Sequence, residues 1–123
     1  MKVIFISGPY KGLNSWEQEC NIRKAEIIAL QINQFGAATI CPHTANRFYF
    51  GTMDEINWMR ICKELLSRCD GIVMLSKWMH SEGANEELNF ALNREIPIFY
   101  FDTYQTVEEH SDYPKFKDFI ESI

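Results

Sequence analysis

The sequence predicts an α/β fold with a single doubly wound parallel sheet that is flanked by helices on both faces. One observation is the alternation along the chain of short β-branched and aromatic runs with helical patterns, in the order β-α-β-α-β-α-β-α. Another is that the runs at 72–75 and 97–101 are apolar throughout, which is typical of strands in a parallel sheet covered on both sides. The length of 123 residues fits one domain, spanning 1–123, and leaves little room for two.

The first half of the chain supplies two strands and a long helix. A strand is predicted at residues 2–7, and it ends in a tight loop at Gly8-Pro9. Ser15 is predicted to cap a helix that runs to about Gln34, because apolar residues repeat on one face of it until Gly36. A short strand at 37–41 is broken by Pro42, and residues 42–53 are predicted as a long aromatic loop with no clear period.

The second half supplies two more strands and three helices. Asp54 is predicted to cap a helix that ends before Asp70 and carries Cys62 on its inward face. A buried strand at 72–75 follows, then an eight-residue loop and a helix that opens at Ala84. The last elements are a strand at 97–101 and a short amphipathic helix at 113–123.

Composition and charge exclude several classes of function. The net charge is −5 and the pI is near 5.1, which argues against binding to long nucleic acid, since that needs clustered Lys and Arg. The N-terminal apolar run is too short for a signal peptide, and no stretch approaches the ~20 apolar residues that span a bilayer. The cysteines and histidines lack zinc-ligand spacing. We therefore expect a reduced cytoplasmic protein with no structural metal, no cofactor and no membrane partner.

Glu87 is the candidate catalytic residue. It shares a helical face with Ala84 and Ala91, and small apolar neighbours make that the packed face of the helix. A carboxylate near the start of this helix would stand over the carboxyl edge of the sheet, where α/β folds bind their ligands. The alternative is that the helix dipole alone favours a glutamate there, as it does at many helix starts.

The segments at that edge supply a mixture suited to a nucleoside or nucleotide. They provide glycines for close backbone approach, a lysine, aromatic rings and carboxylates; the candidate binding residues are Gly8, Tyr10, Lys11, His43, Trp78, Ser81, Gly83 and Asp102. The first loop is neither a P-loop nor a Gly-x-Gly-x-x-Gly motif. It either cradles one phosphate through backbone N–H groups and Lys11, or is a turn with a solvated lysine.

Two kinds of candidate have an ordinary structural alternative. Tyr10 and Trp78 either stack on a base or cover the core. His43 either takes part in catalysis or forms hydrogen bonds within its loop. The sequence leaves each pair of alternatives open.

Three segments resemble a known family. They are Ile-Phe-Ile-Ser-Gly-Pro-Tyr-Lys-Gly at 4–12, Cys-Asp-Gly-Ile-Val-Met-Leu at 69–75, and the Ser-x-Gly-Ala-x-x-Glu-Leu pattern at 81–88. Together they are similar to the nucleoside 2-deoxyribosyltransferase-like proteins, which include the 2'-deoxynucleoside 5'-phosphate N-hydrolases. The small uncharacterised members found in phage and bacterial genomes look most alike. The resemblance extends from Val3 to about Phe101.

The resemblance implies a Rossmann-like, flavodoxin-type sheet and a glutamate nucleophile, which is Glu87 by position. Glu87 would attack C1' of a deoxyribosyl group and form a glycosyl-enzyme ester, which water resolves in a hydrolase and a second base resolves in a transferase. Ser81 and Lys11 match the positions that hold a 5'-phosphate. The resemblance also implies a homodimer or higher homo-oligomer whose neighbouring subunit closes the site, and the stretch 48–50 is a plausible interface.

The chain departs from the family at two positions. The family's aspartate on the helix before the third strand corresponds to Cys62, and the aromatic hydroxyl on the first strand corresponds to Phe5. A thiol is not a charged acceptor, so a supporting acid would come from elsewhere, with Asp54 and Asp102 as candidates. Two functions therefore compete: an N-glycosidase or deoxyribosyltransferase, and a non-catalytic nucleotide-binding module. Nucleotide binding without release of the base would favour the second.

Overall fold

Four parallel strands form one sheet in the order β2-β1-β3-β4. The computed structural model describes residues 1–49 and 51–122. Its strands are β1 (Val3–Ser7), β2 (Ala38–Ile40), β3 (Gly71–Leu75) and β4 (Ile98–Phe101), and its helices are α1 (Ser15–Gln34), α2 (Pro42–Ala45), α3 (Glu55–Ser67), α4 (Glu82–Asn93) and α5 (Tyr113–Glu121). All three strand pairings are parallel. The predicted α/β fold with a Rossmann-like, doubly wound sheet is confirmed.

The two faces of the sheet carry separate cores. Ile4 and Ile6 of β1 pack in a cluster with buried residues of α1 and with Phe116 of α5. Phe5 packs on the opposite face, in a cluster with residues of α3 and α4. Successive side chains of a strand point to opposite faces, so Ser7 lies on the same side as Phe5. This alternation aims the last side chain of β1 at α4.

The strand order changes direction between β1 and β3. The chain passes from β1 to β2 on one side and then to β3 on the other, and such a switch point opens a crevice at the carboxyl ends of the two central strands. Gly8 follows β1 there, and a Cβ at that position would lie 2.8 Å from the Cβ of Leu75. Glycine is therefore needed where the first loop leaves the sheet against the end of β3.

Two predicted helix starts are wrong by one or two residues. Asn14, rather than Ser15, caps α1, and its side chain accepts from the N–H of Glu17 at 2.9 Å. Helix α4 begins at Glu82 rather than Ala84, because Ser81 is its N-cap. The loop before α4 is consequently shorter than predicted and contains a 3-10 turn at Trp78–His80.

The segment predicted as an aromatic loop contains a short helix. Pro42 starts α2, where its fixed φ suits the first helical turn and its missing N–H costs nothing. Of the predicted interface at 48–50, Phe48 is 84% and Tyr49 50% exposed, whereas Phe50 lies outside the described residues. The cap predicted at Asp54 is confirmed: its carboxylate accepts from the N–H of Asn57 at 2.8 Å.

Side chains from neighbouring segments hold the strand ends and the outer edge of the sheet. Asp70 accepts from the N–H of Val3 at 2.7 Å, at the start of β1. Along β4, the N–H of Tyr100 donates to Asp112 at 2.8 Å, and Lys115 donates to the carbonyl of Ile98 at 3.4 Å. Within the described part of the chain, we find no helix long and apolar enough to cross a membrane.

Candidate functional site

A cleft of about 1070 Å³ lies at the carboxyl edge of the sheet. Its walls come from the loop after β1 (residues 8–12, the first loop), from α2, from the first turns of α3 and α4, and from the loops after β3 and β4. Seven of the nine predicted site residues line it: Gly8, Tyr10, Lys11, His43, Ser81, Gly83 and Glu87. The switch point of the sheet therefore gathers most of the predicted set into one space.

Glu87 is the buried carboxylate of the cleft. Its residue is 8% exposed, and the hydroxyl of Ser7 donates to its Oε1 at 2.6 Å. The thiol of Cys62 on α3 also donates to this carboxylate. No cation forms an ion pair with Glu87 among the described residues. Two neutral donors from β1 and α3 thus hold a carboxylate that belongs to α4.

Burial dominates the electrostatics of this group. Removal from water raises the pKa of Glu87 to about 7, and the hydrogen bonds from Ser7 and Cys62 offset part of that rise. Burial also raises the pKa of the Cys62 thiol to about 12, with the neighbouring Glu87 charge adding to the effect. At neutral pH, Glu87 therefore exchanges between its two protonation states, while Cys62 stays a thiol. A carboxylate poised in this way can act as a nucleophile or as a general base.

His43 anchors the first loop. It is buried, and its Nε2 donates to the carbonyl of Pro9 at 2.9 Å. Burial lowers the pKa of this imidazole, so it is neutral in the folded protein. The amide of Asn21 on α1 reaches the same loop and donates to the carbonyls of Tyr10 and Lys11 at 3.3 and 3.1 Å. The loop-binding alternative for His43 is the one that these contacts favour.

Tyr10 and Lys11 project from the first loop toward α2 and α3. The hydroxyl of Tyr10 donates to the carbonyl of Arg47 at 2.9 Å, and its ring meets that of His43 edge to face at 5.7 Å. Lys11 forms an ion pair with Glu55, the first residue of α3. Both side chains of that pair are largely exposed, so solvent screening leaves the pair little contribution to stability.

The start of α4 presents Ser81 and Gly83 to the cleft. The Ser81 hydroxyl accepts from the N–H of Ala84 at 3.1 Å, which leaves its own O–H able to donate to a ligand. At Gly83, a Cβ would lie 3.2 Å from the terminal methyl of Met59, so a larger residue would press against α3.

Trp78 and Asp102 are not brought to the cleft by the described structure. Trp78 packs against Tyr100 with ring centroids 5.8 Å apart, on the α3 and α4 side of the sheet. Asp102 accepts from Ser76 at 3.1 Å and from the N–H of Tyr104 at 2.9 Å, and it ties the loop after β4 to the loop after β3. The proposed supporting acid is thus found at neither candidate position, since Asp54 serves as the cap of α3.

The predicted set omitted Ser7, which contacts Glu87, and the cleft-lining residues Lys24, Lys77 and Tyr104. Ser7 had a signal in the sequence, because it is the last residue of β1 and shares a face with Phe5. Lys24 and Tyr104 are 80 positions apart, and only the fold brings them into contact. No group of three or more His, Cys, Asp or Glu able to hold a metal ion occurs in ranges 1–49 and 51–122.

Comparison with protein families places the chain. A family model described as a domain of unknown function, DUF4406, matches residues 2–100, so the chain belongs to that family. A search of curated proteins finds no match.

Proposed function

We propose that this member of the DUF4406 family cleaves the N-glycosidic bond of a deoxynucleoside or its 5'-monophosphate, or exchanges the base, with Glu87 as the nucleophile. The observation that carries the proposal is the position of Glu87. It is a buried carboxylate at the switch point of a doubly wound sheet, it lines a cleft of about 1070 Å³, and neutral donors alone hold it in the described structure. Parallel α/β sheets bind their ligands at this location.

The lack of a paired cation matters for the chemistry. A carboxylate in an ion pair has its charge already compensated, and its pKa is held low. Glu87 has instead Ser7 and Cys62 as donors, so its charge is available to an oxocarbenium-like centre. Low solvent access strengthens that attraction.

The proposed reaction consists of two displacements at C1'. In the first, a Glu87 oxygen forms a bond to C1' while the bond from C1' to the base nitrogen breaks, and the base leaves with the electron pair and takes up a proton. In the second, water or another base attacks C1' and the ester bond to Glu87 breaks. With water, a proton is released and the sugar is the product. Because each step inverts C1', the configuration is retained overall.

The remaining cleft residues have binding roles under this proposal. The free O–H of Ser81 and the backbone at Gly83 would meet the sugar or its 5'-phosphate. Lys11 would exchange Glu55 for that phosphate, which is inexpensive because an exposed ion pair contributes about 0–1 kcal/mol. Gly8, whose Cβ position is filled by Leu75, lets the first loop lie close to the end of β3.

A non-catalytic nucleotide-binding module is the second candidate. The observation that favours it is the contact between Cys62 and Glu87, because the resemblance implies an aspartate at that position. A thiol with its pKa near 12 neither donates a proton readily nor carries charge at neutral pH. Such a protein would keep the cleft and bind nucleotides without breaking them.

A chromatographic assay for free base separates the two. Wild type, Glu87→Gln and Glu87→Ala are incubated with deoxynucleosides and their 5'-monophosphates, each with and without a second free base. Glu64→Gln, on the exposed side of α3 and outside the cleft, is the matched control. Base released by wild type and the control alone supports a hydrolase, and exchange without net release supports a transferase. Binding without release or exchange in any reaction would reject catalysis and support the module.

A further inference from the structure

We propose that the cleft contains a second anion-binding subsite, formed by Lys24, Lys77 and Tyr104, that takes a phosphoryl group beyond the position of a 5'-monophosphate. These three residues are called the rim cluster below. The proposal rests on the proposed function in one respect, namely that the ligand is a nucleotide. It names the class of that nucleotide: one with an extended phosphate chain, such as a nucleoside di- or triphosphate or a dinucleotide.

The rim cluster brings three separate elements together at the cleft wall. Lys24 lies on α1, Lys77 follows β3, and Tyr104 follows β4, and all three line the cleft. The Lys24 ammonium donates to the Tyr104 hydroxyl at 2.9 Å and lies 5.0 Å from the centre of that ring. The hydrogen bond from Lys24 lowers the pKa of the Tyr104 hydroxyl most, and the positive charges of Lys24 and then Lys77 lower it further.

The four lysines of the cleft differ in whether they form an ion pair. Lys11 is paired with Glu55, and Lys63 is paired with Glu86 at 3.2 Å. Lys24 and Lys77 form no ion pair with a carboxylate in the part of the chain that the structure describes. The Lys24 ammonium beside the Tyr104 hydroxyl, with Lys77 lining the same cleft, is suited to the oxygens of a phosphoryl group.

Among the described residues, Asp102 is the carboxylate that acts electrostatically on Tyr104, and its oxygens already accept hydrogen bonds. It accepts hydrogen bonds from Ser76 and from the N–H of Tyr104. Ser76 also accepts from the N–H of Thr103 at 3.0 Å, so the loops carrying Lys77 and Tyr104 are tied to each other. Hydrogen bonds therefore hold together the two loops that carry Lys77 and Tyr104.

The backbone of Lys77 adds an independent indication. It has φ 64° and ψ 18°, the left-handed region that residues other than glycine adopt at an energetic cost. Such strain is concentrated at ligand sites, where the surrounding contacts maintain it. Here it occurs in a residue that lines the cleft.

Distance separates the rim cluster from Glu87. Glu87 contacts the end of β1, whereas Tyr104 follows β4, and β3 lies between these strands. Two strand spacings amount to about 10 Å. In addition, Glu87 packs on the α3 and α4 side of the sheet, whereas Lys24 belongs to α1 on the other side. With the 5'-phosphate held at Ser81 and Lys11, as proposed above, a ligand that also reaches the rim cluster needs further phosphate groups.

Calorimetric titration with ligands that differ in their number of phosphate groups tests the proposal. Deoxyadenosine and its 5'-mono-, di- and triphosphate are titrated into the Glu87→Gln protein, in which no turnover consumes the ligand. The same series is repeated in the double variant K24M/K77M on that background. The matched control is K115M/K117M, which removes the same charge from α5. The Lys11→Met variant probes the position expected for the 5'-phosphate.

We expect affinity to rise at least tenfold between the monophosphate and the triphosphate. K24M/K77M should abolish that rise in affinity and leave deoxyadenosine binding unchanged. K115M/K117M should preserve the rise. Equal affinities for all four ligands would overturn the subsite. So would a rise in affinity that survives K24M/K77M and is lost in Lys11→Met. Because binding rather than turnover is measured, the outcome stands apart from the base-release assay: a protein without glycosidase activity can still show the rise, and an active one can lack it.

Discussion

Two carboxylates at the same edge of the sheet have the same kind of partner and opposite electrostatics. Glu87 accepts from Ser7 at the end of β1, and Asp102 accepts from Ser76 just after β3. Burial nevertheless raises the pKa of Glu87 to about 7, whereas a backbone N–H from Tyr104, with the Ser76 hydroxyl, lowers the pKa of Asp102. The serine is therefore not what distinguishes them.

The difference lies in solvent access and in the second donor. Asp102 is partly exposed and receives an amide N–H, which favours the charged form strongly. Glu87 is buried, and its second donor is a thiol, which is weak. Environments that push the pKa values of two acids apart assign different tasks to them. Glu87 is suited to chemistry, and Asp102 to holding two loops together.

The largest expected effect is on turnover. Replacing Glu87 by Gln removes the proposed nucleophile and should lower kcat by about 10³-fold or more. Asp102→Asn keeps the shape of a carboxylate that lies outside the cleft, and its kcat should fall by less than about tenfold. Base release measured for both variants gives the answer. Equal losses would erase the distinction between the two carboxylates.

The next effect is on stability against pH. Glu87 binds its proton more tightly in the folded protein than in the unfolded chain, so its contribution is complete below about pH 4.5 and is lost as pH rises to about 7. The loss amounts to about 3 kcal/mol, since each pKa unit is about 1.4 kcal/mol. Thermal unfolding of wild type and Glu87→Gln between pH 4.5 and 8 measures it. The variant should lack this decline and exceed wild type in Tm at pH 8.

Asp102 should give the opposite sign in the same experiment. Its pKa is lowered on folding, so its stabilisation is present at neutral pH and is lost as pH falls through its folded pKa. Asp102→Asn should therefore be less stable than wild type at pH 7, and the difference should shrink in acid. A deficit that grows in acid would contradict the hydrogen bonding described.

A smaller effect is expected from the serines. Ser7→Ala deletes one of the hydrogen bonds that lower the pKa of Glu87, so the pH midpoint of turnover should move upward, with a stability loss of about 1–3 kcal/mol. Ser7→Thr keeps a hydroxyl and should retain the wild-type midpoint. Ser76→Ala, the equivalent change beside Asp102, should loosen the loops without moving it. Rate profiles from pH 5 to 9 distinguish the three.

The smallest effect is expected at Cys62. Cys62→Ser keeps a donor toward Glu87 at slightly smaller volume and should cost about 1 kcal/mol. Cys62→Val removes the donor and is somewhat larger than cysteine, so the pKa of Glu87 should rise. Denaturant unfolding and the rate profile together check both variants. A Cys62→Val protein with an unchanged pH midpoint would show that the thiol contributes nothing to Glu87.

Local patterns predicted most of the fold because each depends on neighbouring residues. The strand at 72–75 follows from a run of apolar residues, and the cap at Asp54 follows from the capping preference of aspartate. Both signals lie within a few positions of the sequence. The predicted start of α4 differs from the observed one because Ser81, predicted as a loop residue, is a preferred N-cap. Pro42 both ends a strand and begins a helix, and only the first of these roles is in the prediction.

The candidate site was predictable where it depends on topology. Gly8, Ser81 and Glu87 follow from the rule that loops at the carboxyl edge meet. Contacts between distant positions did not follow: the Ser7–Glu87 hydrogen bond and the Lys24–Tyr104 pair each join residues 80 positions apart. Trp78 and Asp102 were placed at the correct edge, but their side chains contact neighbouring loops and the core, which loop membership alone does not determine.

The outer edge of β4 has a consequence for how copies of this protein behave in a crowded solution. An open strand edge is a template on which another chain can add itself as a further strand, and such growth leads to fibrils. Here Asp112 occupies the amide of Tyr100 and Lys115 reaches the carbonyl of Ile98, with a charged group at each point. Another chain that added a strand here would have to displace both charged groups and overcome the cost of desolvating them. Asp112 and Lys115 thus hinder the addition of strands from other copies of the protein at the edge of the sheet.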